Sequence, residues 1–435
     1  MLRFRSVPAA TCVVLASSLT LGAQSPAAPT DELKFEVIVS RHGVRSPTGK
    51  VDQLNQYSAQ PWPKWSVPPG YLTEHGAKLM TLFGAYDREL LSRQGLLSPT
   101  GCSDAGQVTI IADSDQRTRE TGKAMASGLM PGCSLEVHGE PEGAADPLFH
   151  SLDAGVGRPD KFLATAAVAG RIGNNPAALT EVYRTQLQAL DDVLSGCGHS
   201  TCATATTQVR TSIFDVPSSL EEGKGAHLVD LHGPLSTAST MSENLLLEYA
   251  EGMDQAQVGW GRVDSNKVRD LLQLHTASSD LERRTSYLAR IQASNLLSHI
   301  LSSMQQAVSQ QSVHGALTRP TDRVLILVGH DTNLTNISGT LDLSWLIDDR
   351  RDDTPPGGAI VFELWKRAGK AEYFVRTWYT AQTLGQMRNM TPLTLTSPPE
   401  RATVFVPKCS QADGSCPWQT FESTVRSAID PAFVK

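Results

Sequence analysis

The apolar run Phe35–Ser40 ends directly in Arg41-His42-Gly43-Val44-Arg45-Ser46-Pro47, so a β-rich segment hands over to one histidine between two arginines. That placement constrains the fold, because open α/β sheets keep their chemistry just beyond the carboxyl ends of their strands. The same construction recurs twice. Gln107–Ala112 runs into Asp113-Ser114-Asp115-Gln116-Arg117-Thr118, and Val324–Val328 runs into Gly329-His330-Asp331-Thr332-Asn333. An uninterrupted apolar strand like the last is buried on both faces. In a mostly parallel sheet the three ends converge on one crevice.

The rest of the chain fits that frame. Thr73 caps a helix with Leu79, Phe83, Tyr86 and Leu90 at helical spacing, and a second helix runs from about Arg119 to Leu129. From 155 to 283 alanine, leucine and polar residues at helical spacing dominate; Arg284–Met304 reads as a further amphipathic helix. Strands return near Ile360–Trp365 and Tyr373–Thr380, after the turn cluster Asp353–Gly358. The pattern predicts an α/β fold with a mixed, mostly parallel sheet flanked by helices, formed by residues 24–154 and 284–435. Residues 155–283 are expected to form an inserted, smaller α-helical domain.

The amino terminus reads differently. A short basic start, Met1–Arg5, and the apolar, small-residue stretch Pro8–Leu21 precede Ala23 and Ser25, the pattern of a secretory signal peptide over residues 1–23. Removing it takes away Arg3 and Arg5 and no acid, leaving 36 basic and 45 acidic residues, a net charge of −9. An acidic exterior argues against a nucleic-acid partner, while a local basic pocket still accommodates a small anion. The expectation is therefore a periplasmic or secreted monomer that has no membrane contact after cleavage. Of the seven cysteines, Cys102, Cys133, Cys197, Cys202, Cys409 and Cys416 lie in the mature part, and sequence proximity favours disulfides 102–133, 197–202 and 409–416. No CxxC spacing supports zinc.

The three strand ends hold a set suited to phosphoryl transfer without a metal. Arg41, Arg45 and Arg117 suit the non-bridging oxygens of a phosphomonoester. Flanking guanidiniums disfavour the imidazolium form of His42 and keep it nucleophilic. Asp331 is the acid for the departing alkoxide, with His330 as a further phosphate donor. The sequence contains no Walker A loop, GxSxG elbow, HExxH or GxGxxG fingerprint. The remaining histidines, His150 and His227 among them, are scattered and read as structural or solvent-facing.

RHGVRSP at 41–47, the Asp-x-Asp-x-Arg-Thr segment at 113–118 and GHDTN at 329–333 resemble the histidine acid phosphatase family. The likeness is greatest to its bacterial periplasmic phytase branch. That resemblance implies a phosphohistidine at His42, phosphate binding by Arg41, Arg45, Arg117 and His330, proton donation by Asp331, and no cofactor. It also implies substrate contacts for Thr48, Asp113, Glu243, His275 and Thr332. Gly49 and Gln292 stand where the family usually has cations, so Lys50 and Arg290 are expected to compensate. Inositol hexakisphosphate is the expected substrate. A sugar phosphate such as glucose 1-phosphate, or broad acid phosphatase activity, is the alternative; a non-catalytic phosphate-ester binder is the remote one.

Overall fold

The computed structural model describes residues 30–49, 51–198, 201–202 and 210–435. The expected export segment 1–23 and Lys50 lie outside the described residues. Eight strands form the central sheet: β1 (Glu32–Arg41), β2 (Val108–Ala112), β3 (Val137–His138), β4 (Val324–Gly329), β5 (Ala359–Lys366), β6 (Tyr373–Ala381), β7 (Glu400–Thr403) and β8 (Ser415–Pro417). Their spatial order is β7-β6-β5-β1-β4-β2-β3, with β8 also pairing β6. The run β1-β4-β2-β3 is parallel, whereas β5 to β8 continue the sheet through antiparallel pairings.

β4 arrives late in the chain yet inserts between β1 and β2, and its register sets the geometry of the site. Arg41 lies opposite Gly329 and Ala112 opposite Val328, so three strands end level with one another. Every residue of β4 is buried, as its apolar sequence requires.

Helices cover both faces. Helices α1 (Glu74–Arg93) and α2 (Gln116–Leu129) bury Phe83, Leu91 and Met125 against Ile38, Ile110 and Ile326. Thr73 Oγ1 accepts from Gly76 N at 2.9 Å, the expected cap on α1. A Cβ on Gly76 would collide with the Val44 carbonyl, so a glycine there lets α1 lie directly beneath the Arg-His-Gly turn.

Residues 155–283 contribute α3 (Lys161–Arg171), α4 (Arg184–Ser195), α5 (Pro234–Ala250) and α6 (Ser265–Arg283). A hairpin of Ser219–Glu222 and Val229–His232 accompanies them. The expected helix from Arg284 begins at Ser286, because Thr285 is extended (φ −58°, ψ 123°) and separates α6 from α7 (Ser286–Ser309). On the sheet face opposite α1 and α2, α7, α8 (Asp331–Leu341) and α9 (Trp418–Ala428) bury Leu297, Ile337 and Phe421 against Phe35, Leu327 and Phe362.

Cys102–Cys133 and Cys409–Cys416 are disulfide-bonded. Cys197 and Cys202 pair through their backbones in a short hairpin, but their side chains lie outside the described residues. Among the described residues no helix is long and apolar enough to cross a membrane.

Candidate active site

The turns after the three parallel strands are stitched together by backbone bonds. His42 N donates to Gly329 O (2.9 Å), Asp113 N to Val328 O (3.0 Å) and Gly357 N to His42 O (3.0 Å). His42 is buried, and its Nδ1 lies 2.8 Å from Gly43 O. A carbonyl only accepts, so Nδ1 carries the hydrogen and Nε2 keeps its lone pair. Arg45 Nε reaches that Nε2 at 3.4 Å. Burial, and then the charges of Arg41 and Arg45, hold the His42 pKa well below the ordinary imidazole range. Both effects disfavour the imidazolium form of His42.

The cations around it are fixed from behind. Arg41 donates to Thr354 O at 2.6 Å and pairs with Glu243 of α5; Arg45 Nη2 reaches both Glu243 oxygens at 3.2 and 3.3 Å. Burial works to raise the Glu243 pKa, yet the two guanidiniums bring it to about 2. Arg117 pairs with Asp115 at 2.5 Å, and its Nη2 lies 3.4 Å from His330 Nδ1. The Asp113 carboxylate bridges two histidines, His330 Nε2 at 2.5 Å and His150 Nε2 at 3.1 Å.

Asp331 opens α8, with its Oδ1 accepting from Thr332 N at 2.9 Å. Its Oδ2 lies 3.7 Å from His275 Nε2, and His275 Nδ1 lies 3.1 Å from Ser239 Oγ. Burial opposes ionisation of both partners. Even so, Arg41, Arg283 and His275 hold Asp331 well below the carboxylate range, while Asp331 and Glu243 raise His275.

The other expected positions divide. Thr332 lines a cavity beside the cluster, and Thr48 flanks Gly70 together with Arg117. Arg290 requires a correction. It is exposed, donates to Ile429 O at 3.1 Å and lines a separate groove with Arg171 and Arg284. Arg283 faces the site instead. Arg284 also precedes Thr285 and lines that same groove with Arg290, so it is the face of the α6 end, and not the side of the break, that sets Arg283 apart. Sequence reading also passed over His150 and Thr354. His150 lies in a segment without periodicity and Thr354 acts through its carbonyl, so neither carried a signal.

Two triplets bring potential metal-ligand atoms within 4.8 Å of one another: Asp113, His150 and His330, and Glu243, His275 and Asp331. Their carboxylates are engaged by histidines or arginines, and Arg117 and Arg41 stand beside them. This donor set suits an anion better than a cation.

Residues 32–380 match the model of the histidine phosphatase superfamily (branch 2). The chain belongs to that superfamily. As a histidine phosphatase it is 39% identical over 407 residues to Phytase AppA of Escherichia coli, covering 92% of this chain and 93% of that protein. It is 28% identical over 434 residues to a glucose-1-phosphatase of Providencia rettgeri, covering 96% and 99%. Hafnia alvei phytase in complex with myo-inositol hexakis sulphate superposes with a TM-score of 0.82 at 35% identity, covering 94% of this chain and 100% of that one. This histidine phosphatase membership agrees with a phosphoric monoester hydrolase.

Proposed function

We propose that the chain hydrolyses phosphomonoesters through a phosphohistidine on His42, with inositol hexakisphosphate as its preferred substrate. The observation that carries the chemistry is His42 itself. Its Nδ1 is committed to Gly43 O, and its Nε2, with its lone pair toward Arg45 Nε, lies in the field of Arg41, Arg45 and Arg117. In the first step His42 Nε2 forms a bond to phosphorus as the ester P–O bond breaks, and Asp331 gives its proton to the leaving oxygen. In the second step water attacks phosphorus, Asp331 takes the water proton, the N–P bond breaks and orthophosphate leaves. Arg41, Arg45, Arg117 and His330 hold the phosphoryl oxygens throughout.

Phytate is favoured over a sugar phosphate because the likeness to the E. coli phytase, at 39% identity, exceeds the 28% to the glucose-1-phosphatase. Residues 155–283 serve in this reading as the substrate-covering unit, since Glu243 and His275 come from its helices. The amino-terminal segment and the two disulfides support export to an oxidising compartment.

The test compares phytate and glucose 1-phosphate at acidic pH with wild type and His42→Ala, alongside alkaline-quenched trapping of labelled enzyme. Full turnover by His42→Ala sinks the mechanism. Equal kcat/KM for the two substrates sinks the phytate assignment. Amino-terminal sequencing of fractionated cells tests export.

A further inference from the structure

Beside the catalytic cluster lies a cavity of about 340 Å³, within the roughly 300–1,000 Å³ of small-molecule sites. It meets that cluster at His150 and Thr332, and its wall also carries His227, Arg283, Gln292 and Asn336. The arginines nearby are otherwise committed to acids. Arg41 and Arg45 share Glu243, Arg117 has Asp115, and Arg171 and Arg284 both reach Asp280. Arg283 differs. It is half-buried at the end of α6, and among the described residues it has no hydrogen bond and no ion pair.

The acids on the same wall do not cancel it. Glu282 is half-buried, desolvation raises its pKa, and its Oε1 accepts from Ser278 Oγ at 2.6 Å. Asp153 is exposed and lies 3.8 Å from His150 Nδ1. Burial opposes a charge on His150, but its bond to Asp113 and the field of Asp153 carry its pKa upward. At acidic pH the wall therefore presents a guanidinium with open donors, an imidazolium, and neutral amide and hydroxyl groups.

We propose that this cavity is a second phosphate subsite with Arg283 as its principal cation. The site then takes compact substrates carrying at least two phosphates: one on Arg41, Arg45 and Arg117 for transfer, another held by Arg283. This inference rests on the phosphomonoesterase reading of the cluster. A guanidinium with no hydrogen bond or ion pair is the group that makes forked bonds to phosphate oxygens, and it breaks no direct contact when it does so; what it redirects is its field on Asp331 and Glu282.

The experiment uses the full chain, with 4-nitrophenyl phosphate as reporter substrate. Two competitive inhibitors are compared, the non-hydrolysable polyanion myo-inositol hexakissulfate and the single anion orthophosphate. The ratio of their inhibition constants cancels effects common to both. Wild type is expected to favour the hexakissulfate, and Arg283→Gln to reduce that preference about tenfold, the loss of one charge-assisted contact. Arg283→Lys retains most of it. An unchanged ratio in Arg283→Gln, or no preference in wild type, overturns the subsite. Phytate turnover by wild type is measured separately, so failure of the phytase reading is distinguishable from failure of this one.

Discussion

His275 Nε2 faces Asp331 Oδ2 at 3.7 Å and has no hydrogen-bond partner of its own, so the proposed proton donor sits against a second proton carrier. Arg41, Arg283 and His275 overcome burial and favour the ionised form of Asp331. A phosphate dianion settling on Arg41 and Arg45 offsets those charges, and the Asp331 pKa then rises toward the protonated form that catalysis needs.

His275→Gln removes one of the cations that hold the Asp331 proton off. The carboxyl then keeps its proton to higher pH, and the descending limb of the kcat profile moves up by about one unit. The pH dependence of kcat with a simple alkyl phosphate measures this. A limb that stays in place or moves down counts against an ion-paired Asp331.

Asp331→Asn removes the acid but leaves His42 and its arginines intact. Turnover of an alkyl phosphate is expected to fall by about a hundredfold or more, the lower end of general acid contributions. A 4-nitrophenyl ester, whose leaving group hardly needs a proton, loses far less. Equal losses on the two substrates would show that Asp331 acts in what they share, phosphate binding or the attack of water, and not in protonating the leaving oxygen.

A second prediction about acid concerns the fold. Glu36 and Glu363 are Cα partners across β1 and β5, both buried, and Asp87 of α1 lines a small void with Glu36 and Arg401. Glu363 takes the compensation: Arg401 at 2.6 Å and the Trp365 and Trp378 indoles at 2.9 Å each. Glu36 Oε2 and Asp87 Oδ2 have no partner. Burial, then Glu363, pushes Glu36 well above the carboxylate range, and burial carries Asp87 to about 7. A carboxyl whose folded pKa exceeds its unfolded one destabilises progressively as pH rises between the two values. From its ordinary 3.8 to about 7, Asp87 alone costs on the order of 4 kcal/mol by neutral pH. Thermal midpoints of wild type should therefore fall from about pH 4 to about pH 7, and Glu36→Gln should flatten that fall. Parallel curves would show that the cluster does not govern it.

What the sequence made legible follows from which features are local. Each parallel strand announced itself by an apolar run with charged residues immediately after it, and His42, Arg117 and Asp331 sit within a few residues of such runs. Their level ends follow from the parallel register of β1, β4 and β2, which the structure supplies. Glu243 and His275 lie on helices whose periodicity marks a buried face but not what that face meets. Their placement came from the family likeness. Arg290 and Arg283 show the limit most clearly: Arg283 and its chain neighbour Arg284 line different cavities, and periodicity alone does not mark which of them meets the site.

Glu243 is the shared counter-ion of Arg41 and Arg45, and a charge-removing substitution there separates two roles. As a substrate contact, its loss would weaken binding. As a counter-ion, it competes with phosphate for the same guanidiniums, and its loss should strengthen binding. Arg41 keeps its bond to Thr354 O and Arg45 its bond to Ser46 O, so both guanidiniums stay anchored when the carboxylate becomes an amide. Glu243→Gln is therefore expected to tighten orthophosphate inhibition several-fold. The stronger positive field should also push the descending limb of the kcat profile to lower pH, opposite in sign to His275→Gln. Product-inhibition constants and pH profiles of the two variants, measured side by side, decide it: weaker orthophosphate binding in Glu243→Gln would return the residue to a substrate-contact role.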